Sequence, residues 1–89
     1  MYDKEIRGCV LERTCFACPE QYDVYLDGKQ IGYLRLRHGC FYATYPDVGG
    51  KIVYEDNPEG DGIFFDNERG FYLDRAIEEL LKEHAYNKV

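Results

Sequence analysis

From Tyr22 to Tyr45 the chain alternates apolar and polar residues in two runs separated by Asp27-Gly28, and the second run continues into a third after Gly39. Alternation of period two marks half-buried strands, and Asp-Gly between such runs marks a hairpin, because glycine accepts the positive φ of a tight reversal. The register decides which side chains are buried. A two-residue loop at Asp27-Gly28 puts Tyr22, Val24, Ile31 and Tyr33 on one face with Arg35 and Arg37, so the apolar stripe ends in two guanidinium groups. A three-residue loop, Leu26-Asp27-Gly28, joins Tyr22 and Val24 to Gly32, Leu34 and Leu36 and sends the charged residues to the other face. A one-residue slip exchanges the two faces completely, and only the second choice buries a clean set, so the three-residue loop is the predicted register.

The same patterning predicts a first strand over Glu5 to Arg13, a turn through TCFACPEQ broken by Pro19, hairpin strands Gln21 to Tyr25 and Lys29 to His38, and a strand Cys40 to Tyr45. Gly39 is a bend between the last two. Pro46-Asp47-Val48-Gly49-Gly50 is a turn that returns the chain as Lys51 to Glu55. After an acidic loop, Ile63-Phe64-Phe65 forms an apolar plug. Leu73, Ala76, Ile77, Leu80, Leu81 and His84 then share one stripe at helical spacing, with Asp66 or Asn67 as N-cap and Glu68 near the positive end of the dipole. A sheet with one apolar face and a single amphipathic helix bury each other, which predicts one α+β domain over residues 1–89: an antiparallel sheet of four to five strands packed on one C-terminal helix.

Composition narrows the chemistry. Eighty-nine residues suffice for one core. Nine tyrosines and five phenylalanines without tryptophan favour sheet. The chain contains no serine, so serine-nucleophile chemistry is excluded. A formal net charge of -6 repels nucleic acid unless a local patch opposes the overall field. The opening MYDKEIRG has no cationic segment leading into an apolar run, and no stretch approaches a membrane span, so a cytoplasmic setting is expected, where the four cysteines stay reduced.

Four groups of residues have chemical potential. Tyr25, Tyr33, Arg35, Arg37 and Tyr42 are expected to project together from the outer face of the sheet, with Lys29 and Thr44 beside them; such rings and guanidinium forks suit an acidic protein segment or single-stranded nucleic acid. Solvent-facing tyrosine and arginine are also ordinary strand residues. Cys15 and Cys18 have metal-knuckle spacing, and Cys9, and Cys40 with His38, are the candidates to complete a zinc set, although Cys9 and Cys40 also read as small buried strand residues. The loop from Asn57 to Glu68 matches calcium-loop spacing at its glycine and terminal glutamate, but an acidic turn before a capped helix accounts for it without an ion. His38 and Cys40, two apart on a strand, would share a face, without an orienting group or oxyanion donors to make them catalytic.

The segments PEQYDVYLDGKQIGYLRLRHGCF, YPDVGGKIVYE and GDGIFFDNER, spread over Pro19 to Leu81, resemble a group of small uncharacterised bacterial proteins associated with prophages and conjugative elements. The resemblance implies an accessory role in such an element and carries no catalytic residue. The expected function is a non-enzymatic binding module without cofactor or metal, whose tyrosine and arginine face meets a protein partner, with nucleic acid disfavoured by charge and no membrane contact. One alternative is a small zinc protein using Cys15 and Cys18 with one or both of Cys9 and Cys40; another is an acidic nucleic-acid mimic that blocks a DNA-binding protein.

Overall fold

The alternating segments become six strands rather than four or five: β1 (Asp3–Ile6), β2 (Cys9–Cys15), β3 (Glu20–Leu26), β4 (Lys29–Arg37), β5 (Cys40–Tyr45) and β6 (Lys51–Asp56), followed by one helix, α1 (Asp66–Asn87). The structure is a computed structural model that describes residues 3–15 and 19–87. Each strand pairs antiparallel with the next, giving a meander in the order β1-β2-β3-β4-β5-β6. The extra strand arises where the sequence predicts one strand over Glu5 to Arg13: the chain reverses at Arg7-Gly8, with φ of 53° and 86°. Asp27-Gly28 and His38-Gly39 repeat that geometry, so three two-residue turns with positive φ at both positions link β1 to β2, β3 to β4 and β4 to β5. These turns match the strand twist, which favours them between paired strands even with arginine or histidine first. His38 is therefore a turn residue and not a strand residue sharing a face with Cys40.

The central hairpin has the predicted faces but not the predicted loop. Leu26 pairs with Lys29, so the loop is the two residues Asp27-Gly28. Tyr25 pairs with Gln30 but Val24 with Gly32, which leaves Ile31 as the extra residue of a β-bulge. The bulge supplies the one-residue correction assigned from sequence to a longer loop: beyond it Tyr22 faces Leu34 and Glu20 faces Leu36. A second bulge at Val53 re-registers β6 on β5 in the same way. Both extra residues are apolar and pack into or against the core, which anchors the bulges.

The helix lies on one face only. Leu73, Ala76, Ile77 and Leu80 are fully buried against Leu11, Tyr22, Val24, Leu34, Leu36, Phe41 and Ala43, while Leu81 and His84 are half-buried at the margin of the stripe. The His84 Nδ1 and Tyr45 hydroxyl lie 2.9 Å apart and fasten the last turns of α1 to β5. Of the apolar plug only Phe64 is inserted, its ring 4.9 Å from Phe41; Ile63 and Phe65 are exposed. Gly32 marks the closest approach of helix to sheet, since a Cβ there would stand 2.5 Å from Leu80 Cδ1. Gly70, on the exposed side of α1, has open space around it. Gly32→Ala is therefore expected to destabilise by about 1 to 3 kcal/mol through overpacking, and Gly70→Ala to stabilise by about 0.5 to 1 kcal/mol through helix propensity. Denaturant melts read both; a gain at Gly32 would show that helix and sheet are not in contact there.

The start of α1 is capped differently from the expectation. Phe65, not Asp66 or Asn67, holds the N-cap position, its carbonyl accepting from Glu68 N and Arg69 N at 3.1 Å. Glu68 turns back and accepts the amides of Phe65 (3.0 Å), Gly60 (2.8 Å) and Glu59 (2.9 Å), the returning half of a capping box that also folds the acidic loop. Both carboxylate oxygens of the terminal glutamate in the calcium-like spacing are thus engaged by backbone.

Beneath this end lies a buried ionic knot. Glu20, 1% exposed, accepts from Arg69 Nε (2.7 Å) and Nη2 (3.2 Å), from the Tyr22 hydroxyl (2.5 Å) and from the Phe64 amide (3.0 Å). Arg69 also donates to Asp66 and to the Phe64 carbonyl. The Glu20 amide donates to the Gly62 carbonyl at 2.6 Å. One glutamate thus joins the start of β3, the loop and the first turn of the helix. Nothing in the alternation singled it out, because Glu20 sits next to Pro19 in what reads as a polar turn.

Candidate functional site

The face of the sheet turned away from α1 is covered by no other element among the described residues. Strand pairing sets its side chains in rows. Glu12, Asp23, Tyr33, Thr44 and Ile52 form one row across β2 to β6; Cys15, Gln21, Arg35, Tyr42 and Glu55 form the next; Arg37 and Cys40 follow. On the other side of the first row stand Val10, Tyr25 and Gln30. The five residues expected to project together do share this face, but not equally. Arg37 is exposed, Tyr25, Arg35 and Tyr42 are half-buried, and Tyr33 is 8% exposed, its hydroxyl donating to Gln21 Oε1 at 2.8 Å. Thr44 is 4% exposed and donates to the Asp47 carbonyl at 2.8 Å. Lys29 pairs with the inward-packing Leu26 and leaves the group. In a sheet this wide, cross-strand neighbours pack against a central tyrosine from both sides and enclose it without a second layer.

Charge on this face is segregated. Glu12 and Asp23 stand directly opposite one another on β2 and β3, an arrangement that destabilises a sheet unless something offsets it. Partial burial pushes the Asp23 carboxyl above its usual range, with the charges of Asp47 and Glu12 adding to the shift and a hydrogen bond from Gln30 (3.3 Å) opposing it. Burial and the same acidic groups push the Tyr25 hydroxyl up as well. The two arginines lie along β4 from this row. The ion pairs among the described residues are Arg7–Asp74, Arg13–Glu20, Lys51–Glu83, Arg69–Glu20, Arg69–Asp66 and Lys82–Glu79. None joins two residues of the open face. Arg37 Nε donates to its neighbour His38 at 3.3 Å, and Arg35 Nε is enclosed without a hydrogen-bond partner among the described residues. Alternation alone located the arginines; the acidic pair was missed because it becomes a pair only once β2 is registered on β3.

The three described cysteines do not converge. Cys9 is fully buried on the helix side of β2, whereas Cys15 and Cys40 belong to the open face, three strand spacings across and one row along, or about 16 Å apart. A set drawing on Cys9 or Cys40 beside Cys15 is therefore not formed, and Cys18 lies outside the described residues. Among the described residues no group of three or more His, Cys, Asp or Glu is placed to hold a metal ion. Burial and a hydrogen bond to Glu55 (3.6 Å) both push the Cys40 thiol up, the opposite of what a nucleophile needs.

Compared with known proteins, the chain matches no family model, no curated protein and no solved structure.

Proposed function

We propose that this protein is a non-enzymatic interaction module whose working surface is the open face of its sheet, with Arg35, Arg37, Tyr25 and Tyr42 as contact residues and a protein as partner. The observation that carries the reading is the set of charges of both signs that form no ion pair among the described residues, set among half-buried tyrosines on the sheet face that no described element covers. Tyrosine and arginine are the residues that most often anchor interfaces, because each combines a large apolar contact with a directional polar end. The adjoining carboxylates weigh against nucleic acid, whose phosphates they would repel. An accessory role within a prophage or conjugative element, in the cytoplasm, completes the proposal and comes from the resemblance of Pro19 to Leu81. No helix among the described residues is long and apolar enough to cross a membrane.

Affinity capture from the native cell, with the wild-type chain and an Arg35→Ala, Tyr42→Ala variant side by side, tests the surface. Tyr33 is left in place because its buried ring supports the sheet. A partner held by the wild type and released by a variant of unchanged melting behaviour is the expected result. Retention by the folded variant removes this face and moves attention to the acidic loop between β6 and α1.

A further inference from the structure

We infer that the open face docks on a second copy of this chain, as a twofold, face-to-face dimer in which Glu12 and Asp23 of each protomer meet Arg35 and Arg37 of its partner. The inference rests on the reading of that face as a contact surface and names its occupant. An isologous interface requires one patch to be complementary to itself, so it must carry both signs of charge, spatially separated. This face does so. Asp23 is level with Tyr33, while Arg35 and Arg37 lie two and four residues further along β4, about 7 and 13 Å along the strand. Glu12 and Asp23 occupy β2 and β3, and the arginines occupy the next strand across.

A twofold axis lying between the two sheets and bisecting the line from the acidic pair to the arginine pair superimposes each group on the opposite group of the other protomer. Both contacts then have attractive sign. The axis passes beside Tyr33, so Tyr25 and Tyr42 flank it and supply apolar area. Docking also relieves the like-charge opposition of Glu12 and Asp23, which on the same face is offset only in part, by the Gln30 hydrogen bond to Asp23, among the described residues. The six strands span about 24 Å and are about 20 Å long, a footprint near 500 Å² per copy or about 1,000 Å² in all, at the lower limit of specific interfaces. The association is therefore reversible, and it weakens with salt because its ion pairs border solvent.

Sedimentation equilibrium of the full chain over two decades of concentration, at low and high salt, tests this. The expected result is a monomer–dimer equilibrium whose dissociation constant rises roughly tenfold with added salt. An Arg35→Glu, Arg37→Glu variant makes both contacts acidic, and a Glu12→Lys, Asp23→Lys variant makes both basic. Each alone is expected to dissociate more than about a hundredfold more readily than the wild type. Mixed in equal amounts, the two variants are expected to form a heterodimer, since every contact is then attractive. Circular dichroism confirms that each is folded, and the rescue by mixing does not arise from damage to the fold. A chain that stays monomeric overturns the inference but leaves the open face to be judged by the capture experiment. Dimerisation insensitive to either variant also overturns it, by placing the interface elsewhere.

Discussion

Replacing Arg69 with alanine is expected to cost about 3 to 5 kcal/mol of stability, the usual consequence of leaving one member of a buried ion pair behind. A domain of this length has only roughly 4 to 13 kcal/mol to lose, so the variant should be marginally folded at best. The size of the effect follows from Glu20, whose side chain is wholly enclosed while that of Arg69 is 17% exposed. Without the guanidinium the carboxylate must stay charged in a dry site or take up a proton. Burial by itself pushes the Glu20 carboxyl up, but the hydrogen bonds from Arg69, Tyr22 and the Phe64 amide, with the charge of Arg69, outweigh it and hold the carboxyl below its ordinary range. A depressed folded-state pKa contributes stability that is fully present above the unfolded value, near 4.5, and is lost as pH falls through the folded value. Glu20→Gln, which keeps the volume and an acceptor for the Phe64 amide, should cost less at neutral pH and flatten the acid limb of the stability profile. Urea melts between neutral and acid pH measure both variants. An Arg69→Ala loss below about 1 kcal/mol would mean that the knot is solvated in solution.

Leu36→Ala is expected to cost about 2 to 4 kcal/mol and its neighbour Arg35→Ala under about 1 kcal/mol. Leu36 is fully enclosed between Glu20 of β3 and Phe41 of β5, and truncation leaves a cavity that the crossing helix cannot collapse into. Arg35 points to the open face, where no ion pair is lost. The contrast between adjacent residues tests the register set by the Ile31 bulge. Equal losses in paired denaturant melts would place both side chains in the same environment, which this register forbids.

Alternation and helical spacing by themselves determined the layer architecture. Tyr22, Val24, Leu34 and Leu36 had to share a face, and Leu73, Ala76, Ile77 and Leu80 had to cover it, because burial of those stripes is the largest favourable contribution a chain this size has. The arginines of β4 fell on the opposite face as a direct consequence of period two. Tertiary structure decided what depends on contacts distant in the chain. Whether Arg7-Gly8 turns or continues a strand is settled by β2 finding β3 as a second partner, since β1 alone gains little from pairing. The loop length at Asp27-Gly28 could not be read because a bulge and a longer loop shift the register equally, and only Ile31 packing into the core selects the bulge. Tyr33 looked like an outward residue, and its burial comes from neighbours on both adjoining strands. Glu20 and Arg69, 49 residues apart, carry no pattern that links them; the low dielectric of a site closed by β3, the loop and α1 makes them a pair. The opposition of Glu12 to Asp23 arises in the same way. Periodicity therefore specifies which side of an element is buried, whereas the charges that lock the fold and mark its open surface acquire their meaning only from strand register and helix docking.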